Sequence, residues 1–117
     1  MATQKRKPAA KIAAELDDRR KKLKKTQADI ANEAYLERST VYRVLNGYTQ
    51  TPELYTLLLI CKVLKFKSGK IIKIVERYGY SITKADQYKD YLEIVRSEEM
   101  MEAPISVWFH ALDKLVK

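Results

Sequence analysis

A chain of 117 residues, 46% of them apolar, has room for one domain or one domain with a short appendix, and can bury a core without metal or disulfide staples. Its single cysteine, Cys61, and single histidine, His110, exclude a disulfide framework within the chain and a Cys/His zinc site. The longest uninterrupted apolar run, Leu57 to Cys61, is far too short for a membrane span.

The net charge is +8, and its placement matters more than its sum. Residues 1–25 carry ten cations and three anions, residues 26–70 six and four, and residues 71–117 seven and eight. A field concentrated in the first quarter suits a polyanion such as nucleic acid. A solvated tail that only aids solubility is the plainer alternative. The start is basic and then Ala-rich, with no apolar stretch of signal-peptide type, so a cytoplasmic, nucleoid-associated protein is expected.

In chain order, residues 1–10 read as a basic flexible arm whose cations Lys5, Arg6 and Lys7 act together with Lys11 just beyond it. From Lys11 to Leu23, Ile12, Leu16 and Leu23 mark one face of an amphipathic helix whose polar face holds Arg19, Arg20, Lys22 and Lys24. Thr26 opens a second helix over 27–34, with Asp29 placed to complete a capping box. A third helix runs over 38–45 with Val41, Val44 and Leu45 on its inner face, and Gly47 supplies the left-handed residue that ends it. Thr51-Pro52-Glu53 signals the next start, with Pro52 at the first helical position. Leu54, Leu57, Leu58, Cys61 and Leu64 then repeat at helical spacing. Ser68 caps a further helix with Ile71, Ile72 and Val75 inside and Gly79 at its stop; the β-branched run KIIKIVE leaves a strand open there. Two more helices follow, one from Thr83 with Asp86 as box partner and Tyr88, Tyr91, Leu92 and Val95 as its stripe. The other starts at Pro104 and aligns Ile105, Trp108, Leu112 and Leu115.

The short helices 27–34 and 38–45, joined by about three residues, form a unit that can present its second member to the major groove of duplex DNA. Ala31 must be small where the second helix crosses, and Leu36, Val41 and Val44 fasten the pair. Arg38, Ser39, Thr40, Tyr42 and Arg43 lie off the apolar stripe and face outward. Arg38 and Arg43 are the expected base readers, since a guanidinium pairs with both guanine acceptors; phosphate contact is the alternative, equally weighted for Arg43. Ser39 and Tyr42 are expected at base edges or thymine methyls, with packing a near-equal role for Tyr42. Tyr48 and Thr49, in the following loop, are placed to touch the backbone.

The segment RRKKLKKTQADIANEAYLERSTVYRVLNGYTQTPELYTLLLICKVLKF resembles the helix-turn-helix domain of the Cro and lambda-repressor group, also called XRE-like regulators. The matching residues are Gln27, Ala31, Leu36, Ser39, Val41, Val44, Asn46-Gly47 and Pro52-x-Leu54, over about residues 12–78. The resemblance implies an all-α, lambda-repressor-like five-helix domain over 11–79, with two additional helices in a dimerisation or partner segment over 80–117. It also implies phosphate contacts from Thr26, Gln27, Thr40 and Asn46. Two residues depart from the family pattern. Tyr35 stands where the family has a turn glycine, a substitution costing roughly 1 kcal/mol if the backbone is kept. Glu37 stands where it favours a serine cap.

The expected function is sequence-specific regulation of transcription, with repression the expected sign, by a homodimer on a palindromic duplex operator. Tyr91, Val95, Trp108 and Leu112 are the expected dimer residues, with closure of the monomer's own core as the alternative. An antitoxin whose last helices hold a toxin is the second reading. A helix-turn-helix module that no longer touches DNA is the third. Catalysis is the least supported: glycines 47, 69 and 79 make no phosphate loop, the acids are scattered, and no metal or cofactor is expected. No membrane association is expected.

Overall fold

The computed structural model of the chain describes residues 8–80 and 88–116. They form eight helices: α1 Pro8–Lys22, α2 Gln27–Ala34, α3 Arg38–Leu45, α4 Leu54–Val63, α5 Ser68–Arg77, α6 Lys89–Arg96, α7 Glu98–Glu102 and α8 Ile105–Val116. No strand occurs among the described residues, and the β-branched run after Ser68 is helical. Its apolar residues Ile71, Ile74 and Val75 recur at three- and four-residue spacing and all reach the core.

α4 is the axis of the molecule. Seven apolar side chains from Leu54 to Val63 are buried, and Thr56 is buried with them, so this helix is apolar nearly all round and must be surrounded. α2, α5, α6 and α8 pack against it. One continuous core results, running from Ile12 and Leu16 in α1 through Val41 and Val44 to Val95, Trp108 and Leu112. Cys61 lies fully inside it, and burial pushes its thiol up to about 12, which leaves it inert at neutral pH.

Five helices end in the same way, with a left-handed residue and paired backbone bonds that close the last turn. Gly47 (φ 78°) and Gly79 (φ 102°) do this without strain, while Lys24, Tyr35 and Lys65 adopt φ of 59°, 58° and 62°. After Tyr35, the Leu36 amide donates to Ala31 O at 3.0 Å; after Lys65, the Phe66 amide donates to Cys61 O at 3.2 Å. Leu36 and Phe66 both pack on the core. That contact holds a non-glycine residue in a conformation costing about 1–2 kcal/mol. Gly47 is required twice over, because a Cβ there would sit 3.0 Å from Ala10 Cα.

Several boundaries differ from the sequence expectation. α1 begins at Pro8 rather than at 11, and Ala9 is buried, so residues 8–10 belong to the helix and Lys11 stands on it. α4 begins at Leu54, two residues later than expected, with Pro52 buried ahead of it. Ser68 is the first residue of α5 and not its cap. Among the described residues three helices, not two, follow residue 80, because Ser97 accepts from the Met100 amide at 3.1 Å and starts the extra turn α7. The expected helix start at Thr83 and Asp86 lies outside the described residues.

Val95, Trp108 and Leu112 are wholly buried within the chain. Trp108 donates its indole N–H to Met100 O, and the Lys62 ammonium lies 5.2 Å from its ring centroid. These three residues therefore close the chain's own core and have no surface to offer a second copy. Tyr91, the fourth residue of that set, is half-buried.

Candidate nucleic-acid interface

α2 and α3 are positioned by a frame that starts in α1. Thr26 caps α2 in a full capping box: the Asp29 amide donates to Thr26 Oγ1 at 3.0 Å and the Thr26 amide to Asp29 Oδ2 at 2.8 Å. The Thr26 backbone N–H, and then the Thr26 hydroxyl, hold the Asp29 carboxyl below its ordinary value. α3 opens at Glu37, whose side chain makes no cap bond. Its carboxylate still favours the positive end of the helix.

α3 is divided cleanly. Val41, Val44 and Leu45 are buried against α1 and α2, and Arg38, Ser39, Tyr42 and Arg43 are exposed. Among the described residues no carboxylate pairs with Arg38 or Arg43. Tyr42 is 51% exposed and Tyr48 68%, and their rings lie 5.9 Å apart, so the outward face carries an aromatic pair beside its two guanidinium groups. The major groove, about 12 Å wide, admits one such helix. Thr40 is half-buried on the flank of the helix.

Gln27 and Asn46, expected at phosphates, are joined to each other. Asn46 Nδ2 donates to Gln27 Oε1 at 3.3 Å and to Tyr42 O at 2.8 Å, and Gln27 Nε2 donates to Asp17 Oδ1 at 3.2 Å. Both hydrogens of the Asn46 amide are thus engaged, whereas Gln27 keeps one N–H free. Asp17 anchors the chain of bonds, taking Arg20 Nε at 2.6 Å and Nη2 at 3.2 Å. Burial pushes the Asp17 carboxyl up, but bonds from Arg20 and Gln27 and the charges of Arg20 and Lys21 outweigh it and hold it below its ordinary value. Arg20 also reaches Lys25 O at 2.7 Å and so fixes the α1–α2 turn.

Sequence periodicity does not reveal Asp17 or Arg20 as part of this site, because what ties their pair to it, the Gln27 side chain and the Lys25 carbonyl, lies outside α1. It also assigned Arg19 and Arg20 to a free polar face, and they are structural ties. Arg19 Nε donates to Leu64 O at 2.9 Å and its guanidinium lies over Phe66. Lys25 pairs with Glu33 at 2.6 Å. The open cations of this region are Lys11, Lys22 and Lys24, all exposed. The arm residues Lys5, Arg6 and Lys7 lie outside the described residues.

The segment after residue 80 reaches the interface through α8, which packs against α2. The Tyr35 ring, in the left-handed turn between α2 and α3, lies 4.7 Å from that of Phe109 in α8. Among the described residues no three His, Cys, Asp or Glu side chains converge as a metal site, and no helix is long and apolar enough to cross a membrane. Compared with family models, residues 16–71 match the one described as Helix-turn-helix. The curated proteins and the solved structures returned no match.

Proposed function

Since residues 16–71 place this chain among the DNA-binding helix-turn-helix regulators of the Cro and lambda-repressor type, we propose that it is a sequence-specific repressor. It seats α3 in the major groove of a palindromic operator, acts as a homodimer, and works in the cytoplasm at the nucleoid. The observation that carries this is the division of α3: three apolar residues are buried, and two arginines with no carboxylate partner among the described residues stand outward beside Tyr42. Arg38 and Arg43 then read guanine edges, and Ser39 and Tyr42 meet bases or thymine methyls. Thr26, Gln27, Thr40 and Tyr48 position the backbone, while Asn46 fixes the Gln27 amide and so acts mainly as part of the frame. Arm residues Lys5, Arg6 and Lys7 add phosphate attraction.

With Val95, Trp108 and Leu112 interior, a second chain must use another surface. Tyr91 lines a cleft of about 280 Å³ with Tyr55, Tyr80, Tyr88 and Leu115. Tyrosine-rich clefts of this kind suit protein contacts. The same cleft supports the second reading, an antitoxin that holds its toxin there.

Selection of bound duplexes from a random pool should recover inverted repeats with half-sites one helical turn apart, about 34–36 Å. Arg38→Ala should weaken binding to the recovered site by about 1–3 kcal/mol and relax one base position, with thermal stability unchanged. A pool without a common motif, or an unchanged base preference in Arg38→Ala, contradicts the assignment of α3. A hydrodynamic mass of one chain on the recovered site contradicts the dimer.

A further inference from the structure

We propose that the groove between α1 and the α4–α5 connection is a second phosphate-binding surface, which takes the duplex backbone flanking the bases read by α3. This rests on the DNA-binding reading above. The groove measures about 520 Å³; Arg19 and Lys22 of α1 form one wall, and Lys65, Lys67 and Lys70 with Phe66 form the other. Five cations thus face two carboxylates, Glu15 and Asp18. Glu15 is already paired with Arg77 and with Lys70 at 3.4 Å. Among the described residues no carboxylate pairs with Lys22, Lys65 or Lys67.

The frame beneath these lysines is rigid. Lys65 is the left-handed residue that closes α4, and Arg19 donates across the groove floor to Leu64 O at 2.9 Å and Lys65 O at 3.4 Å. α5 then starts against its own electrostatics. Its first turn holds no acid, its cap position is Lys67, and no side chain caps its free N–H groups. The positive end of a helix favours an anion, and a lysine there repels it. A phosphate seated between Lys65 and Lys67 relieves both conflicts.

Position supports the same ligand. Asp18 borders this groove and also a second one, between α1 and the end of α3, that Lys21 and Asn46 line. The two grooves therefore adjoin around a single helix about 10–12 Å across. Cations spread along two open walls suit successive phosphodiesters of one strand rather than a single enclosed anion.

The test compares wild type with the triple variant Lys22→Gln, Lys65→Gln, Lys67→Gln on two duplexes. One is trimmed to the sequence that α3 reads, and the other carries flanks. Each phosphate contact contributes about 0.9 to the slope of log affinity against log salt. The triple variant should therefore lose about 2–3 from the slope on the flanked duplex and nothing on the trimmed one. Arg38→Ala should instead lose base preference on both duplexes. An unchanged slope on the flanked duplex, or an equal loss on both, overturns the second surface and leaves the role of α3 intact. Absence of salt-dependent binding by the wild type overturns both.

Discussion

α3 and α8 are both short amphipathic helices that carry aromatic side chains, and the molecule uses them in opposite ways. α3 turns Val41, Val44 and Leu45 inward and leaves Tyr42 half in solvent beside two arginines. α8 sends its largest side chain, Trp108, to full burial, with its indole N–H on Met100 O. The front of the protein keeps its hydrogen-bonding groups available; the back satisfies its own. An aromatic residue in a helix is therefore no indicator of an interface until its partners are known. The two regions are linked through α4, which packs against both α2 and α8, and through the Tyr35–Phe109 ring contact.

That contrast can be tested by perturbing each region in turn. The largest effect should come from the back. Trp108→Ala removes a fully buried indole and should cost about 3–5 kcal/mol. Because the core is continuous, circular dichroism should still show one cooperative melting transition, lowered for the whole chain. A variant melting like the wild type would mean that α6–α8 ride on the front without sharing its core.

A smaller effect should appear where the regions meet. A double-mutant cycle of Tyr35→Gly and Phe109→Ala should give a coupling of about 0.5–1.5 kcal/mol. Tyr35→Gly alone should be near neutral, since relief of the left-handed backbone, about 1–2 kcal/mol, offsets the lost ring contact. Zero coupling would separate the front from the back at the turn.

The smallest effect is electrostatic and belongs to the front. The folded Asp17 carboxyl lies below its ordinary value, so the stability it provides is complete above about pH 4 and is lost as pH falls through the lower folded value. Glu15, lowered by its hydrogen bond from Arg77 against the penalty of burial, acts in the same direction. Asp17→Asn should flatten the acid limb of a melting-temperature profile and leave the part due to Glu15. An unaltered acid limb would remove Asp17 from the frame that holds Gln27.

The division between legible and illegible features follows the range of the interactions. Helix starts and stops set by neighbours in sequence were readable: the Thr26–Asp29 box, Gly47, Gly79 and the limits of α2 and α3. The left-handed demand on Tyr35 came from the resemblance, which puts a turn glycine at that place, and the backbone is kept there with φ 58°. Capping around Pro52 and Ser68 was misplaced by one or two residues, since either neighbour could serve there and packing made the choice. The bonds from Gln27 to Asp17 and from Asn46 to Gln27 were not readable, because a hydrogen bond between residues ten or more apart leaves no period in the chain.

The amino-acid order alone determined a mainly helical chain, a two-helix unit with a polar outer face, and a basic first quarter, because periodicity, caps and formal charge are local quantities. Only the tertiary structure decided which cations remain open, that Val95, Trp108 and Leu112 fill the interior, and that Tyr35 meets Phe109. Burial and pairing depend on which surfaces meet, and that is a property of the packed helices as a set.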